Sequence, residues 1–337
     1  MSSSNPTSVT KLGAGSFGVV YQIVSLPHIA FKVPILSSDD RILELEFESM
    51  RTVYASSLCS PSLFQIPTPI AFYNPTTDKW IREDLLGHSS SDDNRRRRRN
   101  SLTIDRTTID CLPSNNACYI MDRIPPLPGA TSQFLIEQYG PLNYQGPPLN
   151  LCRIYLGRTE KRWAKRGFFN HQNFILDRTG YEATQSASTS FNLPSLQLVA
   201  FHMGLTVANI HMTGMDARDV EFVLGGEDTP NHDALDQHAF YTLDFNQMRD
   251  ISCVGDAAEC AEICADAFFL NDPYFPRPRK GEVLYEAFRE GYWVQVGRDA
   301  ESGYGHGHGR RWVELKNAFF GVLEARQAEK DARSGAG

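Results

Sequence analysis

Apolar positions change their spacing along the chain, and that change outlines the elements. Val19, Val20 and Tyr21, then Ile29, Ala30 and Phe31, are short runs of β-branched and aromatic residues that follow the glycine-rich string KLGAGSFG. They predict a hairpin of short strands around a Gly-rich turn over residues 9 to 36. From 40 to 54, Ile42, Leu43, Phe47, Met50 and Val53 recur near helical spacing. Strand, strand, helix is the start of a small α+β lobe. Residues 84 to 114 are polar, Ser-rich and charge-blocked, which reads as a mobile insertion. CYIMDRIPPLP returns to a buried strand and then enters a Pro-rich connection, read as the hinge between two lobes.

Beyond the hinge the pattern becomes mainly helical. Leu196, Val199, Ala200, Met203, Val207 and Ile210 share one helix that stops at Gly214. DVEFVLGG and AFYTLDFNQ read as two short strands, and helices are expected around 256 to 270, 281 to 293 and 311 to 332. The expected division is a strand-rich N-lobe over 1–127, with a disordered Ser/Arg-rich insertion near 86–114, and a helical C-lobe over 128–337. No internal repeat is present.

Composition narrows the function classes. With 337 residues, 41% of them hydrophobic, the chain can bury a shared core between two lobes. No apolar run approaches the roughly 20 residues of a membrane helix, and MSSSNPTSV has neither the basic nor the apolar region of a signal peptide, so a cytoplasmic location and no membrane partner are expected. The net charge of −7 argues against a globally basic nucleic-acid binder, and no DNA partner is expected. Local basic patches exist all the same. Arg95, Arg96, Arg97, Arg98 and Arg99 are consecutive, and Arg158, Lys161, Arg162, Lys165 and Arg166 cluster. The seven cysteines are an odd, scattered set read as free thiols; Cys260 and Cys264 lack a second pair with finger-like spacing, and no metal site is expected.

The candidate chemistry begins at Gly13, Gly15 and Gly18, a G-x-G-x-x-G between two strands that lets a phosphate-bearing ligand approach the backbone. Lys32 in AFKVP follows, then Glu46 on the first helix as its expected partner. This spacing resembles the phosphate-binding lysine and its glutamate in protein kinases. Asp216 in HMTGMDARDVEFVL stands where kinases keep the catalytic-loop aspartate, Glu221 where they keep the metal-binding asparagine, and Asp244 where the aspartate of DFG is found. The fold class implied is α+β, a protein-kinase-like two-lobed fold with a small strand-rich N-lobe and a mainly helical C-lobe. Histidine is missing before Asp216 and asparagine is replaced by Glu221, so ordinary phosphotransfer is in doubt.

RIPPLP, YLGR, NFIL, DARDVEFVLGG, LDFNQMRDI and NDPYFPRP are similar to strings of a fungal family carrying a domain of unknown function and often mislabelled as zinc-finger proteins. That family resembles the arginine-containing cyclodipeptide synthases, which join arginine from arginyl-tRNA to the amino acid of a second aminoacyl-tRNA. The resemblance implies a tRNA-binding aminoacyltransferase that forms a diketopiperazine and requires no cofactor. Glu221 or Asp219 would take the ammonium proton, Asp216 and Asp244 would grip the guanidinium, and Arg95 to Arg99 would contact tRNA phosphates. Asn271, Asp272 and Tyr274 are further candidates for the substrate or tRNA; a purely structural turn is the competing reading of NDPYFPRP. Two other functions stay open: a small-molecule phosphotransferase, which would bind ATP and magnesium, and a non-catalytic pseudokinase that binds a protein partner.

Overall fold

The computed structural model describes residues 8–60, 62–82, 104, 106–113, 116–158, 169–172, 174–187, 191–227, 237–252, 255–271, 273–301 and 308–335. Its N-terminal region is an antiparallel sheet of strands β1 (Val9–Ala14), β2 (Gly18–Ile23), β3 (Ile29–Pro34), β5 (Pro69–Asn74), β6 (Lys79–Arg82) and β7 (Cys118–Asp122), in the order β1-β2-β3-β7-β5-β6. Helix α1 (Asp40–Ser57) crosses it and buries Leu43, Phe47, Met50 and Val53, the stripe its sequence spacing predicts. Glu46 lies on the same face and is only 2% exposed, so a charged group has been carried into the core and needs a partner there.

A second sheet joins β4 (Phe64–Gln65), β8 (Cys152–Tyr155), β9 (Phe174–Asp177), β10 (Glu221–Gly226) and β11 (His238–Leu243) in the order β4-β11-β10-β8-β9. The β10–β11 pair has an unbroken antiparallel register from Glu221↔Leu243 to Gly226↔His238. The expected strands are both present, but they belong to a five-stranded sheet, so the C-terminal region is less purely helical than its periodicity suggests. The reason is length: β8 and β9 span four residues each, too few to show a period.

Helices accompany both sheets. Besides α1, they are α2 (Arg106–Ile109), α3 (Gly129–Tyr139), α4 (Arg178–Ala187), α5 (Leu196–Met212), α6 (Ala257–Leu270), α7 (Val283–Glu301) and α8 (His308–Gly335). At the α5–α7 crossing, a Cβ on Gly204 would lie 1.9 Å from the Phe288 carbonyl oxygen, and one on Gly291 would lie 1.9 Å from that of Phe201. Only two glycines let these backbones touch. One apolar cluster runs from Phe47 and Tyr119 through Leu135 and Phe222 to Phe268 and Phe319, tying α1 to the second sheet and the C-terminal helices. A smaller cluster around Ile23, Phe31 and Tyr73 includes Ile104, Ile109 and Leu112. That last part of the expected insertion is therefore folded, because three apolar side chains in 104–112 give it a core to join. Among the described residues no helix is long and apolar enough to cross a membrane.

Candidate ligand cleft

The glycine-rich turn, Lys32 and the ends of β10 and β11 line one cleft. Gly13 and Gly15 are on its roof with open space where a Cβ would project, whereas a Cβ on Gly18 would come within 3.0 Å of Lys32 Cε and the Val33 carbonyl oxygen. The fold therefore explains Gly18 and leaves Gly13 and Gly15 unexplained. Glycine in or beside a strand costs about 0.5–1 kcal/mol relative to alanine, and close approach of a bound molecule is a reason to keep it. The walls are apolar, from Leu12, Val20, Ala30, Met121, Leu151, Val223 and Leu243.

At the back of the cleft Lys32 Nζ donates to Glu46 Oε1 at 2.5 Å and to Asp244 Oδ1 at 3.0 Å. Tyr119 Oη donates to the same Glu46 oxygen at 2.9 Å. Burial by itself would lower the Lys32 pKa, but Glu46, Tyr119 and Asp244 outweigh it and hold the ammonium well above its usual value. Burial raises the Glu46 pKa, and Asp244 adds to the rise while Lys32 opposes it. Lys32 is thus a fixed cation.

The remaining carboxylates do not converge as expected. Glu221 lines the cleft, but its carboxylate is taken by the guanidinium of Arg153 on β8. Asp216 is 1% exposed and is not among the cleft-lining residues. Its Oδ1 accepts the backbone N–H groups of Arg218 and Arg249 at 3.1 and 2.9 Å, and Arg218 Nε lies 3.6 Å from Oδ2. Asp219 accepts from Gln247 Nε2 at 2.5 Å and is likewise away from the cleft lining. The expected grip of open carboxylates on a cationic substrate is therefore corrected: Asp244, Glu221 and Asp216 each face a lysine or arginine of the chain itself. Buried carboxylates need such partners in the folded state.

The NDPYFPRP residues also have structural places. Asn271 Oδ1 accepts from the Asp219 backbone N–H at 2.7 Å, and its Nδ2 donates to the Ala217 carbonyl at 3.0 Å. Both of those residues have left-handed backbones, with φ of 59° and 56°, and Asn271 clamps them. Tyr274 is 2% exposed and packs edge-on against Tyr155, 4.9 Å between centroids, so it has no free face for a base. Asp272 and Arg95 to Arg99 lie outside the described residues. Sequence reasoning missed Arg153. Its signal was a single arginine between apolar neighbours in LCRIYL, the pattern of a strand with one charged position facing a site.

Asp244 adopts φ of 66°. A left-handed conformation at a non-glycine residue is a strain that folds retain at functional positions. Asn246 Oδ1 is buried in the cleft lining with no hydrogen-bond partner among the described residues, an acceptor suited to a ligand hydroxyl.

One family model matches. It is DUF3669, described as zinc finger protein, over residues 240–298. None of the curated proteins matches the chain. This finding corrects the resemblance to arginine-containing cyclodipeptide synthases and the kinase-like scaffold inferred with it: the family whose model matches is the one described as zinc finger protein. Residues 240–298 hold Cys253, Cys260 and Cys264 and no histidine. Cys260 and Cys264 are buried thiols, and burial, with Asp216 nearby, pushes the Cys264 pKa well above its usual value. Among the described residues no group of three or more His, Cys, Asp or Glu is arranged to hold a metal. The described residues do not fit a structural zinc.

Proposed function

We propose that this chain binds a nucleoside phosphate in the cleft, with the base between the apolar walls and the phosphates beneath the Gly13–Gly18 turn against Lys32. On this reading the α+β architecture works as two lobes joined at the Pro-rich connection after Asp122, and the cytoplasm, where nucleoside phosphates are abundant, is its place. The observation that carries the proposal is Lys32, fixed between Glu46 and Asp244 in a cleft that is also lined by two glycines the fold itself does not require. A lysine so held is a standing positive charge beside a backbone that a phosphate can approach.

Binding is favoured over phosphoryl transfer. Asp216, which the sequence spacing offered as a catalytic aspartate, is buried and occupied by two backbone N–H groups. Thermal denaturation of the full chain with ATP, ADP, AMP and GTP tests the proposal. At least one nucleotide should raise Tm dose-dependently in the wild type and none in Lys32→Ala or Gly15→Val. Flat curves for all four would end it. ATP turnover on a metabolite would replace it with the phosphotransferase reading, and an arginine-bearing cyclic dipeptide in the medium of an expressing bacterial culture would replace it with the tRNA-dependent synthase.

A further inference from the structure

Resting on the nucleoside-phosphate reading, we infer that Arg153 makes this site independent of divalent cations by standing where the cleft carboxylates would otherwise hold a metal ion. Protein sites for nucleotide-bound magnesium offer one or two carboxylates beside the phosphates. Here the pair in that position is Glu221 and Asp244. Strand register brings them together, because Glu221 is opposite Leu243, the residue before Asp244. Both line the cleft, and both already face a cation, Glu221 that of Arg153 and Asp244 that of Lys32, which it shares with Glu46.

Asp244 Oδ1 receives Lys32 Nζ at 3.0 Å, and Glu221 Oε1 receives the Arg153 guanidinium. The second pairing is built into the sheet. Arg153 is opposite Val223 on the antiparallel neighbour, so Glu221 two positions along β10 is its diagonal partner on the same face. A guanidinium on a central strand is preorganised in a way that a loop lysine is not. The side chains of Arg153 and Glu221 are only 23% and 12% exposed, so water screens the pair weakly. A divalent ion would have to enter against two cations already bonded to its ligands. The same two cations meet phosphate oxygens directly, which removes the need for an ion to bridge phosphate and protein.

Calorimetric titration of the full chain with ATP, once in EDTA and once in excess magnesium, separates the outcomes. The expected result is a Kd that agrees within about threefold in the two buffers. Arg153→Gln should weaken binding in EDTA about tenfold or more and recover it in magnesium or manganese, because Glu221 is then released to hold an ion. Circular dichroism checks that this variant is folded. If it is not, Glu221→Gln decides: freeing Arg153 for the phosphates should tighten binding in EDTA by about threefold or more, and no gain would overturn the inference. Wild-type binding that appears only with magnesium overturns the inference and keeps the nucleoside-phosphate reading. No binding in either buffer ends both.

Discussion

Lys32 Nζ lies 3.0 Å from Asp244 Oδ1, although 212 residues separate them in the chain. This contact joins the first sheet to the end of β11 across the cleft, and Glu46, 2.5 Å away on the other side, completes the bridge. One ammonium serves two carboxylates here, so Lys32 is the counter-charge of both. Lys32→Met should therefore destabilise the fold by roughly 3 kcal/mol, since it leaves Glu46 buried without a counter-charge. Pairing it with Glu46→Leu should restore most of that stability while ligand binding stays lost. Urea denaturation of the single and double variants measures the first effect, and a nucleotide titration measures the second.

Gly15→Ala separates fold from function in the roof of the cleft. Its new methyl group would enter open space, so stability should change by less than about 1 kcal/mol and in the favourable direction. Binding should weaken about tenfold, because the methyl occupies the path by which a phosphate reaches the backbone. Unchanged affinity measured by calorimetry would leave that glycine without a role.

The helix crossing behaves differently. A methyl group at Gly204 would meet the Phe288 carbonyl oxygen at 1.9 Å, and neither backbone has room to withdraw. Gly204→Ala should cost about 3 kcal/mol and lower the unfolding midpoint in urea, with the m-value unchanged.

His211 gives the chain an acid-sensitive core. Burial lowers its pKa to about 3, and its Nδ1 is 2.8 Å from the Tyr292 hydroxyl. The folded state thus binds fewer protons than the unfolded state between pH 6.5 and 3. By linkage, stability falls as pH drops through that window, by roughly 2 kcal/mol at pH 5 from this residue alone. His211→Phe should flatten that part of the stability profile, measured by urea midpoints from pH 7 to pH 4.5.

The sequence made some of this legible and hid the rest for physical reasons. The α1 stripe and the β10 and β11 strands could be read because spacing along one element decides them, whereas the Lys32–Glu46 pair, which joins β3 to α1, was reached only through a resemblance in spacing. The fate of the acidic groups could not. Whether Glu221 is open or neutralised depends on Arg153 in a four-residue strand whose register is set by tertiary pairing, and no local pattern carries that information. Asn271 could be read either as part of a structural turn or as facing the cleft, since a side chain that clamps Ala217 and Asp219 looks in sequence like one that faces a ligand. Tyr274 kept the same two readings open: an aromatic in a Pro-rich turn gives no sign of whether it packs inward.

Photoaffinity mapping with an azido-ATP tests the central claim most directly. The account predicts covalent label on peptides from 12–20 and 119–126, suppressed by excess unmodified ATP and absent in Lys32→Ala. Label confined to other segments, or label that excess ATP does not displace, would contradict it.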